Sequence, residues 1–237
     1  MFLFFDLDDT LYDQYLPFEA AYLDIFGDTP REKMNDIFVK SRRLAGQAYA
    51  MVDRGELAPG EVYCYRLMRA FETYGVKLPH AVAHTFRDAY DKTQSRIALS
   101  DGMKAFLGYL CDVGVRFGCM SNGPGPHQRH KVEVLGLSDY FEPEAIIISG
   151  EVGCAKPVVD IYRVAEERFG AAPSDCMMIG DAYDIDIRGA LRAGWQTLWI
   201  DRRGETNPAE RDFHPHYTAR SEEEMIATLQ HLLREKA

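Results

Sequence analysis

The sequence predicts an α/β protein whose parallel sheet is interrupted, just after its first strand, by an all-α insert. Three observations carry this. Phe2-Leu3-Phe4-Phe5 is a four-residue apolar run, the pattern of a strand buried on both faces, and it stops at Asp6. After Tyr12, about 85 residues follow with helical periodicity and no strand pattern. From about residue 98, short apolar runs alternate with single amphipathic helices, which implies a Rossmann-like parallel sheet with right-handed crossovers.

Within the insert, Ile37, Ser41, Ala45, Ala48 and Val52 line one helical face. Tyr63, Leu67, Ala70, Phe71 and Tyr74 repeat that spacing, as do Val82, Phe86, Ala89, Tyr90 and Thr93. Breaks at Pro30, Gly55, Pro59-Gly60 and Gly75 to Pro79 divide the stretch into four helices. The expected organisation is a four-helix bundle over residues 15–97, packed as its own module, and an α/β unit made of residues 1–14 and 98–237.

The α/β unit continues with a helix through Met103, Phe106 and Leu110, ended by Gly114, and a strand over residues 115–120. A helix through Val132 and Leu135 precedes a strand over 145–148; Pro157, which can sit at a helix N1 position, precedes a helix through Ile161, Ala165 and Phe169. Strands over 176–179 and 196–200 flank a helix through Ile187 and Leu191 that Gly194 closes. Gly204 to Pro208 is polar enough for a loop, and a capping box of Ser221 with Glu224 opens a last helix through Met225, Leu229 and Leu232.

The 237 residues suffice to bury a core without staples. With 27 basic and 37 acidic residues the formal charge is −10, so the general field opposes nucleic acid and anionic membrane, and neither is expected as a partner. Lys40 to Arg43 reads as a solvated face. Five widely spaced cysteines, no CxxC and no long apolar run or leader pattern point to free thiols and a cytoplasmic protein.

The chemistry gathers at the strand ends. Asp6 and Asp8 stand two apart at the mouth of a core strand, with Thr10 beyond, where unpaired carboxylates would repel and be costly to desolvate. The second strand runs into Ser121-Asn122-Gly123, the third is followed by Lys156-Pro157, and the fourth leads to Gly180-Asp181 with Asp184 and Asp186 close behind. Each alone reads as a turn, a cap or a solvated side chain. A parallel sheet brings them to one edge, where acids can hold Mg²⁺ while a lysine and a hydroxyl hold phosphate, so the constellation describes phosphoryl transfer.

These four motifs, in this order and with a helical insert between the first two, resemble the haloacid dehalogenase-like hydrolases over nearly the whole chain. The resemblance implies a small-molecule phosphomonoester hydrolase with a helical cap. Asp6 would be the nucleophile that forms an aspartyl-phosphate, and Asp8 the acid that protonates the leaving alcohol and then the base that activates water. Lys156 would neutralise Asp6 and the transferring group. Thr10, ordering the loop beneath Asp8, Ser121, Asn122 and Gly123 would serve the phosphate site with Lys156. Asp6, the Asp8 carbonyl oxygen and Asp181 would hold Mg²⁺. Asp186 fits the second acid of the fourth motif, with Asp184 the alternative. The form of the motifs is most similar to bacterial 5′-nucleotidase-type members. A 2-haloacid dehalogenase, a sugar phosphatase or phosphomutase, and a phosphate-binding regulatory module are the rival readings; Asp8 speaks against the first, because halide needs no protonation. Monomer and homodimer are both open.

Other polar residues carry weaker expectations. His127 and His130 lack a third zinc-type ligand nearby, and His214-Pro215-His216 reads as irregular chain. Trp195 and Trp199 read as packing. Gln128 and Lys131, on the helix after Ser121-Asn122-Gly123, are placed to face the site. Arg42, Arg43, Arg66, Arg69, Tyr63 and Tyr65 are candidates for leaving-group contacts in the insert, although such side chains more often form an outer face or a bundle core.

Overall fold

A computed structural model describes residues 1–28, 31–204 and 213–235. The expected break at Pro30 and most of the loop expected over Gly204 to Pro208 lie outside the described residues. The chain divides into two compact units, Met1–Asp13 with Ile97–Ala237, and Gln14–Arg96.

In chain order, strand β1 (Phe2–Phe5) leads into helices α1 (Tyr15–Phe26), α2 (Arg31–Arg43), α3 (Ala45–Asp53), α4 (Val62–Glu72) and α5 (His80–Gln94). Then come α6 (Asp101–Asp112), β2 (Arg116–Ser121), α7 (Gly125–Val134), β3 (Ile146–Ile148), the single turn α8 (Ser149–Val152) and α9 (Val159–Phe169). The chain continues through β4 (Cys176–Gly180), α10 (Arg188–Ala193), β5 (Gln196–Ile200), β6 (Tyr217–Ala219) and α11 (Glu222–Glu235).

All pairings in the six-stranded sheet are parallel, and the strand order is β3-β2-β1-β4-β5-β6. Alternation along β1 sends Leu3 and Phe5 to one face and Phe2 and Phe4 to the other, which is why the run is apolar throughout. On the first face they meet Phe106 and Leu110 of α6 and Met225 and Leu229 of α11. On the second they meet Ile161 and Tyr162 of α9, Ala190 of α10 and Trp195. Each large side chain so buried contributes about 1.5–3 kcal/mol. Because β1 is central and the chain order reverses between β1 and β4, the carboxyl ends of these two strands open the crevice where such sheets bind ligands.

Three details depart from expectation. A sixth strand, β6, extends the edge beyond β5; three residues with one buried side chain are too short for an alternation to register in sequence. Pro157 is not at a helix N1 position: it sits in a turn closed by Val158 N–H to Ala155 O at 2.9 Å, with a cis Lys156–Pro157 peptide, and α9 starts at Val159.

Among its described residues the unit Gln14–Arg96 has five α-helices where four helices were expected, since the stretch after Pro30 breaks at Leu44 into α2 and α3. There ψ opens to −5°, while Leu44 N–H still reaches Lys40 O and Ala48 N–H reaches Leu44 O; Gly46, in the first turn of α3, is the weak helix former that stands beside the interruption. Its core is aromatic: Phe18 packs on Phe38, Phe86 and Tyr90, and Tyr63 stacks on Tyr90 at 5.1 Å. Arg66 donates to Ser41 O at 2.7 Å, Arg69 pairs with Glu72, and Arg42 bonds Gln14. These three arginines thus serve the fold of this unit.

Candidate active site

Asp6 continues β1 by one residue, its N–H bonded to Ile179 O of β4 at 2.8 Å, so its carboxylate leaves the sheet at the crevice. The buried Lys156 ammonium binds it, Nζ to Oδ1 at 2.6 Å, and also reaches Asp186 Oδ1 at 2.7 Å and Met120 O at 2.6 Å. Asn122 fixes the lysine from behind. It accepts Lys156 N–H on Oδ1 at 3.0 Å and donates Nδ2 to Lys156 O at 2.8 Å. Its side chain is therefore committed to positioning Lys156.

Asp186 is delivered by a π-helical turn, Tyr183–Ile187, of the kind that often marks functional sites. The turn widens the helix so that the carboxylate folds back: Ala182 N–H donates to Asp186 Oδ2 at 3.0 Å, and Tyr162 Oη–H donates to Asp186 O at 3.0 Å. Glycine at 180 is required here, because a Cβ would collide with the Asp186 carboxylate. Asp184, on the same turn, points outward to Arg188 at 2.9 Å. Asp181 is held through its backbone by Trp199 Nε1–H at 2.8 Å, so this tryptophan does more than pack.

Carboxylate oxygens of Asp6, Asp181 and Asp186 lie within 4.8 Å of one another. Three carboxylates against one ammonium leave two formal negative charges, and the donors are all hard oxygens. That set fits a divalent, oxygen-preferring cation such as Mg²⁺. Metal-free, burial pushes the Asp6 carboxyl up to about 7, with Asp186 and Asp8 adding and Lys156 opposing. Burial works against the Lys156 ammonium too, but Asp186 and Asp6 outweigh it and hold this lysine well above the ordinary range.

Asp8 belongs to a second, compensated pair. Lys131 Nζ grips both of its oxygens, at 2.7 and 2.8 Å, and Tyr12 Oη–H bonds Oδ1. Gln128 Nε2 joins Asp8 Oδ2 at 3.4 Å to Ser121 Oγ at 2.7 Å and Asn122 O at 2.8 Å. Lys131 and Gln128, three apart on α7, are both buried, as their spacing behind Ser121-Asn122-Gly123 suggested. Gly123 N–H is taken by Ser149 Oγ at 2.9 Å, and Thr10 is fully buried. Ser121 Oγ and Lys156 Nζ are thus the polar side-chain groups of the expected phosphate set that remain beside Asp8 and Asp6.

The loop carrying these acids is braced by residues that sequence reasoning missed. Asp9 adopts φ 62°, a left-handed turn that aspartate tolerates better than most residues. Arg202 Nε–H and Nη2–H donate to Asp9 O at 3.0 Å and Thr10 O at 3.1 Å, while Arg203 bridges the Asp9 and Asp13 carboxylates. Asp9 and Asp13 are partners of one largely buried arginine. The signal was available: Asp201-Arg202-Arg203 is the polar segment at the carboxyl end of β5, the same position that flagged the other strands. His127 and His130 are exposed on α7.

Comparison with known proteins agrees with this geometry. Residues 2–194 match the model of the haloacid dehalogenase-like hydrolase family. The chain is 31% identical over 222 residues to a phosphoserine phosphatase of Thermus thermophilus, covering 84% of this chain and 88% of that protein. It is 28% identical over 250 residues to the N-acylneuraminate-9-phosphatase of Mus musculus, covering 96% and 93%. In fold it superposes on the magnesium-bound HAD-hydrolase YfnB of Bacillus subtilis with a TM-score of 0.71, at 24% identity and covering 98% and 97% of the two chains.

Proposed function

The chain belongs to the haloacid dehalogenase-like hydrolases, and from that premise we propose that it is a Mg²⁺-dependent phosphatase of small phosphomonoesters working through an aspartyl-phosphate on Asp6. The observation that carries the reading is the buried Asp6–Lys156–Asp186 chain with Asp181 beside it, at the crevice where strand order reverses. A structural role alone gives no reason to gather three carboxylates, those of Asp6 and Asp186 buried, around one ammonium, since desolvating such groups is costly.

Asp6 attacks phosphorus, the new carboxyl-oxygen-to-phosphorus bond forming as the ester bond breaks. Asp8 passes a proton to the departing alkoxide. In the second step the Asp8 carboxylate takes a proton from water, which attacks the phosphoenzyme and releases inorganic phosphate. Lys131, gripping both Asp8 oxygens, fixes the carboxyl group from which the proton is passed. Lys156 aligns Asp6 and balances charge on the transferring group. Asp6 and Asp181, with Asp186 alongside, would hold Mg²⁺, which screens nucleophile from phosphate and sets them in line.

The named relatives act on different phosphate esters, so the leaving group is the open variable; the motif form favours nucleoside 5′-monophosphates. The test is phosphate release by the purified protein from nucleotides, sugar phosphates, phosphoserine and an acylneuraminate phosphate, with Mg²⁺ and with excess chelator. Turnover of at least one ester is expected with Mg²⁺ and none in chelator, with Asp6→Asn inactive and Asp8→Asn trapping phosphoenzyme. Full turnover in chelator, or an active Asp6→Asn, overturns the mechanism.

A further inference from the structure

In the unit Gln14–Arg96 we propose a second metal site, a Zn²⁺ site formed by Glu61, Cys64, His84 and His80. It is independent of the phosphatase chemistry and of the carboxylate cluster that serves it.

Ligand atoms of Glu61, Cys64 and His84 lie within 4.8 Å of one another. Glu61 closes the short turn Pro59–Glu61, and Cys64, three residues on in α4, stands one helical turn above it. His80 and His84 are an i, i+4 pair at the start of α5, the spacing that lets two imidazoles share one cation. Both rings face the same carboxylate: His84 Nε2 is 3.2 Å from Glu61 Oε1, His80 Nε2 is 2.8 Å from Glu61 Oε2, and the ring centroids are 4.5 Å apart. Tetrahedral zinc with bonds of about 2.0–2.3 Å separates its donors by roughly 3.3–3.7 Å, so small adjustments bring Glu61, Cys64 and His84 onto one ion, while His80, outside that group and bonded to the other Glu61 oxygen, must turn its ring inward to supply the fourth ligand.

The donor chemistry selects the ion. One sulfur, two imidazole nitrogens and one carboxylate suit borderline Zn²⁺ and not Mg²⁺. A thiolate and a carboxylate also balance its charge. Two hydrogen bonds to Glu61 explain the histidines by themselves, but not a buried thiol turned to the same point. Cys64 is closed off from solvent while Glu61 and His84 are partly open, which leaves an entry path on the side of the donors. The nearby cation Arg87 is engaged by Gly60 O and Asp91. Binding exchanges the Cys64 S–H proton for a sulfur-to-zinc bond and releases that proton to solvent. The ion would tie the start of α4 to the start of α5 across the intervening loop.

The experiment uses the full-length protein, stripped with chelator, dialysed, and held in excess Mg²⁺ to occupy the carboxylate cluster. Titration with Co²⁺ should give a thiolate-to-cobalt charge-transfer band at one equivalent, which an all-oxygen site cannot produce, and Zn²⁺ should bleach it. Cys64→Ser should abolish the band. His84→Gln should weaken binding by at least roughly 10–100-fold, since even supporting residues around a metal cost that much. Far-ultraviolet dichroism in chelator checks that both variants fold, and the half-exposed His84 keeps the test open if Cys64→Ser does not. Zn²⁺ should raise the thermal midpoint of native protein and not of His84→Gln. Absence of a charge-transfer band at saturating Co²⁺, or an unchanged band and affinity in His84→Gln, overturns the proposal.

Discussion

Replacing Asp6 by asparagine should abolish turnover and, in metal-free protein at alkaline pH, make the fold more stable. Burial pushes this carboxyl from an ordinary 3.8 up to about 7, which corresponds to about 4 kcal/mol of ionisation cost as an upper bound. The folded protein keeps the Asp6 proton up to about pH 7, whereas the unfolded chain surrenders it near pH 4. Folding therefore takes up a proton in that window, and wild-type stability is lost as pH rises through it. Asparagine has nearly the same shape and no such titration, and Lys156 keeps Asp186 and Met120 O as partners. The gain of Asp6→Asn over wild type should grow between pH 5 and pH 8, reaching at most roughly 8–16 °C in Tm. The assay is thermal unfolding of both proteins in chelator at the two pH values, repeated with Mg²⁺, which should raise the wild-type Tm and leave the variant nearly unmoved. A variant no more stable than wild type at pH 8, or a difference independent of pH, refutes the placing of strain on the Asp6 carboxylate.

Lys131→Met removes the bidentate partner of Asp8; kcat should fall roughly 10²-fold with KM little changed, and an unchanged kcat would remove Lys131 from the proton-transfer step. Asp186→Asn should lower both Mg²⁺ affinity and activity, read by Mg²⁺ titration of turnover, whereas Asp184→Asn, on the exposed Arg188 pair, should leave stability within about 0.5 kcal/mol and kcat as in wild type. Arg203→Met leaves Asp9 and Asp13 without their shared cation and should cost about 1–3 kcal/mol in urea unfolding, with kcat lowered because the Asp8 loop loses its brace.

Much of the α/β unit was legible because burial on both sheet faces demands apolar runs, and Phe2 to Phe5, Cys176 to Ile179 and the Leu198-Trp199-Ile200 end of β5 carry that signature within the observed strands. The acids at the strand ends were legible for the opposite reason: carboxylates beside such runs are costly unless something pairs with them. What pairs with them was less visible. Lys131 had a signal in its position on α7 just after Ser121-Asn122-Gly123. Arg202 and Arg203, 190 and more residues from the loop they hold, had only their place after β5. The break at Leu44 had only Gly46 beside it, a glycine that the apolar periodicity through Ile37, Ser41, Ala45 and Ala48 ran across.

The sequence by itself determined the alternation of strands and helices, the inserted all-α stretch, and which residues could do phosphoryl chemistry. Local periodicity and the cost of exposed apolar or buried charged groups act along the chain, so these can be read there. Only the tertiary structure decided the pairing of those residues. Lys156 shares its ammonium between Asp6 and Asp186, Asp8 belongs to Lys131, Asn122 holds Lys156 rather than phosphate, and Asp186 turns inward while Asp184 turns out. Such choices depend on distances of a few ångströms between segments far apart in sequence, set by strand order and by one widened helical turn, and no spacing along the chain encodes them.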